Sequence, residues 1–394
     1  MQALCNRYPD RSVGSKGNRF STDYFNRVLN ELGWQTRSQE FDALNWEGSG
    51  ARLESGGRTF ELLVSPYSAG CDVISEMLAV DTVEKLSETE IGEKIVLLYG
   101  PIAREQLMPK NFVFYNPAKH QHIIRLLEQK KPAAIISATG RSEMAGGTYP
   151  FPLIEDGDFK IPSVYTTEET GRELLDEVHK TARLISQSTL IPEKGYNIIG
   201  QKGPKEAQRL VITAHIDTKK GTPGAIDNAT GVTILLRLAA LLADYQGPYR
   251  LEIVALNGED YYSVPGQMQY IRENQGFFDQ IALNINIDGA GYKSGPTAIS
   301  RYGVPADMAK AVDKVVAGFD GLAHGDPWPQ GDHSIFIQYG CPALAVTSEW
   351  LITHLEEQNF THTPKDTLAL VDPEKLEETA RALADLKKTL PTPN

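Results

Sequence analysis

An apolar run that leads into histidine and aspartate, Leu210-Val-Ile-Thr-Ala-His-Ile-Asp217, sets the interpretation of the second half of the chain. Its first five residues have the length and composition of a buried strand. Similar runs recur at Leu251–Leu256, Ile281–Ile287 and Ala343–Val346, and the clearest helical pattern lies between them at Ala229–Ala243. Strands that alternate with helices are typical of α/β proteins. We predict an α/β fold with a mostly parallel mixed sheet and helices on both faces.

The first half of the chain has a different texture. A helical pattern over residues 19–33 is followed, from residue 45 to 190, by short apolar runs separated by Gly, Pro and Ser. Phe60–Val64, Lys94–Tyr99 and Ala133–Ser137 are predicted strands, and Ala118–Gln129 is a predicted helix. We therefore predict two domains, one formed by residues 1–44 and 191–394 and one β-rich inserted domain formed by residues 45–190.

The composition excludes several classes of protein. The 394 residues are 41% hydrophobic and 23% charged, as in a folded globular protein. A net charge of −12 without a basic stripe argues against nucleic-acid binding. No apolar stretch reaches the roughly 20 residues that a membrane span needs. Three scattered cysteines fit a reducing compartment, so the sequence as it stands predicts a cytoplasmic protein, or a secreted one if a leader was removed.

Polar residues follow three of the predicted strands at the point where each strand ends. His215 and Asp217 follow the first, Glu259 and Asp260 follow the second, and Asp288 follows the third. Ligands of open α/β sheets bind beyond the carboxyl ends of the strands, so these side chains are expected to meet at one edge. Asp227 lies in the loop before the long helix, and His362 lies in a polar loop near the C-terminus.

Carboxylates crowded at one edge need a positive charge between them. Imidazole and carboxylate together suit zinc, and pairs of such ions about 3.5 to 4 Å apart recur in hydrolases. The two histidines and three of the acids would supply such a pair. The sequence therefore predicts two zinc ions, which cobalt or manganese could replace.

The same segments carry a resemblance to a known family. Ala214-His-Ile-Asp217, Gly224-Ala-Ile-Asp-Asn-Ala-Thr-Gly231, Glu259-Asp260, Asn286-Ile-Asp288 and His362-Thr-Pro-Lys-Asp-Thr367 resemble, in order and spacing, the co-catalytic zinc aminopeptidases and glutamate carboxypeptidases. Arg11-Ser-Val-Gly-Ser15 is similar to the usual start of the family's catalytic domain. The resemblance implies a zinc exopeptidase fold of the phosphorylase/hydrolase-like type, and the inserted stretch resembles a protease-associated domain.

The resemblance implies a role for each residue of the series. Asp227 would bridge two zinc ions, with His215 and Asp288 completing one site and Asp260 and His362 completing the other. Glu259 would act as general base toward a water held at the metal pair. Asp217 would fix the tautomer of His215, and Asp366 would either support the site or cap the helix that begins near Asp372.

The chain departs from the family in two places. Glu-Asp stands at 259–260 where Glu-Glu is more common, and Thr361 stands where some relatives have a tyrosine that holds the oxyanion. Tyr261, Tyr262 and Tyr292 are the candidates for that role here. His333, Trp328 and Glu349 are predicted to contact the substrate.

The predicted function is a zinc-dependent aminopeptidase that hydrolyses N-terminal peptide bonds. Two alternatives stay open: a glutaminyl cyclase-like acyl transferase, and a non-catalytic binding module on the same fold. The predicted partners are peptide substrates, without nucleic acid or membrane, and an oligomer is compatible with the sequence.

Overall fold

The structure is a computed structural model that describes residues 1–142, 145–328 and 331–392. It divides into two compact units. The first contains Met1–Ala43 and Lys194–Asn394, and the second contains Leu44–Glu193. No helix in the described part of the chain has the length and apolar character needed to cross a bilayer.

The strands, given in chain order, are β1 (Gln35–Ser55), β2 (Arg58–Val64), β3 (Cys71–Val80), β4 (Ile95–Leu98), β5 (Ala134–Thr139), β6 (Ser163–Thr167), β7 (Thr181–Lys202), β8 (Arg209–His215), β9 (Arg250–Leu256), β10 (Ile281–Ile287), β11 (Thr297–Tyr302), β12 (Leu322–His324) and β13 (Ala343–Ser348). The α-helices are α1 (Lys16–Glu31), α2 (Val83–Glu88), α3 (Ala118–Lys130), α4 (Glu168–Leu174), α5 (Thr230–Leu241), α6 (Pro265–Asn274), α7 (Ala306–Val316), α8 (His333–Gln338), α9 (Glu349–Thr353) and α10 (Pro373–Thr389).

The sheet of the first unit has the strand order β7-β9-β8-β10-β13-β11-β12. The four pairs β8–β9, β8–β10, β10–β13 and β11–β12 are parallel. The pairs β7–β9 and β11–β13 are antiparallel. The sheet is therefore mixed and mostly parallel, as predicted. Because β9, β8 and β10 are parallel neighbours, their carboxyl ends lie side by side.

Helices cover both faces of this sheet. Alternate strand residues such as Leu210, Ile212 and Ala214 pack in one core with residues of α1, α5, α7 and α10. Helix α8 contacts β10 and β13, and its Phe336 packs against Tyr270 of α6 outside that core. The predicted α/β fold class is thus confirmed.

Two helices differ from their predicted bounds for local reasons. Helix α1 begins at residue 16 rather than 19 because the Ser15 hydroxyl accepts the backbone N–H of Asn18 and caps the first turn. Helix α5 begins at residue 230 because Asp227 and Asn228 have non-helical backbone angles in the turn that precedes it. Both deviations lie in segments that lead to the site described below.

The strands of the second unit pair in the order β1-β2-β6-β5-β4-β3-β7. Strands β3 to β6 are parallel, whereas β1–β2, β2–β6 and β3–β7 are antiparallel. Two apolar cores lie in this unit, one of which contains Ile123, Ile124 and Leu127 of α3. This unit is rich in strands and contains the short helices α2 and α4 in addition to α3.

Candidate metal centre

The carboxyl ends of β8, β9 and β10 deliver the first part of the site. His215 is the last residue of β8, Asp288 follows β10 directly, and the turn after β9 carries Glu259 and Asp260. Asp227 comes from the turn before α5, and His362 comes from the loop before α10, where its φ of 61° is in the left-handed region. Five segments of sequence thus meet at one edge of the sheet.

The five predicted metal ligands lie in two groups that share Asp227. In the first group, His215 Nε2 lies 3.0 Å from Asp227 Oδ1 and 3.5 Å from Asp288 Oδ1. In the second, His362 Nε2 lies 3.1 Å from Asp227 Oδ2 and 3.0 Å from Asp260 Oδ1. Each oxygen of Asp227 therefore faces a different group, which is the arrangement that a bridging carboxylate requires.

The surroundings of His215 fit a metal ligand. The side chain is 1% exposed, and among the described residues neither of its ring nitrogens makes a hydrogen bond of good geometry, although Nε2 lies 3.0 Å from Asp227 Oδ1. Burial lowers the pKa of His215, but the charge of Asp288 and the other carboxylates outweighs this effect and raises it well above its usual value. The carboxylates thus favour a cation at this point. Two imidazoles and three carboxylates are ligands that zinc accepts.

Glu259 is not part of either ligand group and lies beside them. Burial raises the pKa of its carboxyl well above the usual value, and the charges of Asp260 and Asp288 raise it further. The charge of His215 opposes this rise in the pKa. The role of Glu259 as general base stays a prediction.

Asp217 has partners other than the one predicted. Its carboxylate lies 3.8 Å from His215 Nδ1, which is beyond hydrogen-bond distance. Oδ1 accepts the backbone N–H groups of Gly258 (2.7 Å) and Glu259 (3.3 Å), and Oδ2 accepts that of Asp260 (3.0 Å). Asp217 is thus bound to the turn that carries the base and one ligand, because three main-chain donors point at it.

Asp366 holds the turn that carries Asp227. Its Oδ1 accepts the N–H of Ile226 (2.8 Å), and its Oδ2 accepts that of Asp227 (3.0 Å). Burial raises its pKa to about 6. The alternative role as a helix cap is wrong, since Asp372 accepts the N–H of Glu374 at the start of α10.

The three predicted substrate contacts lie outside the ligand groups. His333 is 1% exposed, and its Nε2 lies 3.1 Å from the carbonyl oxygen of Trp328. The Trp328 backbone is held by the hydroxyl of Tyr302. Glu349 begins α9 and donates its N–H to the carbonyl of Pro296. The structure brings His333 and Trp328 together, with ring centroids 4.9 Å apart, and Glu349 belongs to a separate turn.

A buried polar contact near the site, between Gln267 and Asp332, does not follow from the sequence. Asp332 accepts a hydrogen bond of 2.8 Å from the Gln267 side chain, and burial raises its pKa to about 7. Of the oxyanion candidates, Tyr292 stacks between other rings, 4.7 Å from Trp350 and 5.3 Å from Phe360. No motif in the sequence indicates these contacts, which depend on tertiary packing.

Fold and ligand geometry together are typical of metal-dependent hydrolases with an α/β sheet. Residues 197–387 match the model of Peptidase family M28. This match agrees with the resemblance found in the sequence.

Curated relatives and solved structures support this assignment. The chain is 25% identical over 244 residues to Aminopeptidase YwaD of Bacillus subtilis, a match covering 58% of this chain and 51% of the relative. It is 26% identical over 283 residues to Probable lipoprotein aminopeptidase LpqL of Mycobacterium tuberculosis, covering 71% and 54%. The matches thus span about half the length of these curated relatives.

Solved structures share the fold over nearly the whole chain. An aminopeptidase from Aneurinibacillus sp. strain AM-1 superposes with a TM-score of 0.77 at 20% identity, covering 100% of this chain and 94% of the other. BSAP, a zinc aminopeptidase from Bacillus subtilis, gives 0.73 at 20% identity, covering 98% and 91%. A glutaminyl cyclase from Tannerella forsythia gives 0.52 at 13% identity, covering 98% and 94%.

Proposed function

We propose that this protein is a zinc-dependent aminopeptidase that removes residues from the N-terminus of peptides. The observation that carries the proposal is the pair of ligand groups that share Asp227, with Glu259 beside them. The match to a peptidase family and the names of the similar aminopeptidases support peptide substrates and zinc.

Each residue has a defined task in this reaction. His215 and Asp288 would hold one ion, Asp260 and His362 the other, and Asp227 both. When bound, the two ions would polarise the scissile carbonyl and lower the pKa of water. Glu259 takes a proton from the attacking water and passes it to the leaving amine. Asp217 keeps the Glu259 turn in place through its three main-chain hydrogen bonds.

A glutaminyl cyclase-like activity is the second candidate, because a cyclase shares the fold over 98% of this chain. The aminopeptidase proposal is favoured since the aminopeptidase structures superpose with higher TM-scores. The binding-module alternative requires a degraded ligand set, whereas both ligand groups are complete here.

The second unit, Leu44–Glu193, is proposed to be a protease-associated-like domain. Its strand-rich composition supports this assignment. The predicted compartment, oligomeric state and lack of nucleic-acid binding remain predictions; one relative is named a probable lipoprotein.

The first experiment measures metal content and hydrolysis of aminoacyl chromogenic substrates before and after chelation. Two zinc ions per chain and chelator-sensitive release of the aminoacyl group are expected. A peptide with N-terminal glutamine serves as the second substrate: cyclisation without release of a free amino acid would replace the proposal by the cyclase. A protein that binds no zinc and gains no activity with added zinc or cobalt would favour the binding module.

A further inference from the structure

Arg11 is a fully buried arginine whose side chain donates to four main-chain carbonyl oxygens, three of them on the metal-ligand turns and the fourth that of Leu4 at 3.2 Å. Its Nε donates to Ile216 O at 3.1 Å, its Nη1 to Pro223 O at 2.7 Å and its Nη2 to Gly224 O at 2.8 Å. Burying a guanidinium is costly unless its donors are satisfied. Here main-chain carbonyl oxygens satisfy the buried guanidinium and offset that cost.

The acceptors of Arg11 lie on two different turns of the site. Ile216 stands between His215 and Asp217, whereas Pro223 and Gly224 lead into the bridging Asp227. The planar guanidinium of Arg11 therefore links the turn of His215 to the turn of Asp227. Gly224 has a φ of 54°, and a Cβ atom there would lie 2.2 Å from Thr218 Cγ2 and 2.4 Å from Asp227 O, so this turn requires glycine.

Asn18 extends the same segment to the turn that carries the base. Its Nδ2 donates to Arg11 O (2.9 Å) and to Asn257 Oδ1 (2.8 Å), and Asn257 Nδ2 donates back to Asn18 Oδ1 (3.0 Å). Both side chains are buried. Asn257 directly precedes Gly258-Glu259-Asp260. The two hydrogen bonds between Asn18 and Asn257 thus hold the first residue of this turn in place.

We infer that Arg11 and Asn18 are positioning residues that set the distances between the two metal-ligand turns and the turn of the base. This inference rests on the proposed function and assigns a task to a segment far from the ligands in sequence. A site of this kind works only if its groups are held to within about 0.5 Å of the productive geometry. Arg11 acts on the ligand turns and Asn18 acts on Glu259.

The test of Arg11 compares Arg11→Lys with Arg209→Lys. Lysine keeps the charge, but its single ammonium group cannot donate to both turns as the guanidinium does. Arg209 is the matched control because it is also buried, in the same unit, and binds Asn274 Oδ1 and Phe277 O at the opposite end of β8 from His215. Both variants are expected to unfold at lower temperature than the wild type.

Only Arg11→Lys is expected to alter the metal site. Its zinc affinity should fall by about 10- to 100-fold, and the visible absorption spectrum of its cobalt-loaded form should shift. Arg209→Lys should keep the wild-type affinity and spectrum. If Arg11→Lys keeps both while losing stability, Arg11 is merely structural and the inference is wrong. If the wild type itself binds no metal, the proposed function fails instead.

The contact between Asn18 and Asn257 is tested with Asn18→Ala, Asn257→Ala and the double variant. These variants also keep the inference testable if Arg11→Lys does not fold. Each single variant should lower kcat by about tenfold or more and weaken zinc binding at the group that contains Asp260, because the displaced turn carries both Glu259 and Asp260. Zinc binding by the group of His215 should be unchanged. The double variant should be no slower than either single one, as expected for residues that act as a pair. Additive losses, or an unchanged kcat, would contradict the inference.

Discussion

Glu259 and Asp260 are neighbours in sequence but have different proposed roles at this site. Asp260 lies in a ligand group, 3.0 Å from His362, whereas Glu259 lies beside both groups with a raised pKa. Glu259→Gln removes the base and keeps the size of the side chain. Hydrolysis should fall by about 100- to 10,000-fold with zinc content unchanged, as measured by steady-state kinetics and elemental analysis. A variant with full activity would exclude Glu259 as the base.

A second prediction at this scale concerns Asp366. Asparagine at this position can accept only one of the two N–H groups that Asp366 binds, and its amide N–H₂ would face the other. Asp366→Asn should therefore weaken zinc binding by about 10- to 100-fold, measured by competition with a chromophoric chelator. The matched control is Asp372→Asn, since asparagine also caps helices well. Equal zinc affinity in the two variants would show that Asp366 does not support the site.

Residue identities were predictable where chemistry follows a strand directly, as for His215, Asp260 and Asp288. Supporting contacts were not. Asp366 binds a turn 140 positions away, and Arg11 binds Ile216 at a separation of 205. No periodicity links residues so far apart in sequence, and one sequence alone does not reveal which of many polar residues become partners. Asp217 shows the same limit, because its three N–H donors depend on how the next strand ends.

At the scale of elements, helix α5 connects the core to the site because it follows the turn of Asp227. Leu235 in this helix is completely buried, whereas Leu241 near its end is 38% exposed. Leu235→Ala should lower the free energy of unfolding by about 2 to 5 kcal/mol, measured by urea denaturation. Leu241→Ala, the control, should change it by less than about 1 kcal/mol. Similar losses in both variants would contradict this packing of α5.

Apolar runs in the sequence predicted the central strands and the main helices, but they did not predict the residues at which the helices begin. Strands β8, β9 and β10 were predictable because buried parallel strands are short and continuously apolar. The start of α1 depended on the Ser15 cap and that of α5 on two non-helical residues. Such ends are decided by individual hydrogen bonds and backbone angles, which hydrophobic periodicity does not encode.

On the scale of the whole molecule, zinc binding should stabilise the folded chain, since the ligands come together only when the sheet has formed. At a free zinc concentration of 100 times Kd, the gain is about 2.7 kcal/mol per independent site. Thermal unfolding should therefore shift upward with zinc and downward after chelation. Asp227→Asn should lose most of this shift, because both ligand groups share Asp227, while Glu259→Gln should keep it. An Asp227→Asn protein with the full shift would contradict the shared-ligand geometry.

The chain order of the ligands has a consequence for biosynthesis. The unit Leu44–Glu193 is one continuous segment and leaves the ribosome early, so it can fold before the rest of the chain has been translated. The metal-ligand turns are bound by Arg11, which precedes this unit in the chain, and by Asp366, which follows it together with the ligand His362. A nascent chain that has already exposed β8, β9 and β10 still lacks the second ligand group. The second ligand group therefore forms only after the segment with His362 and Asp366 has left the ribosome.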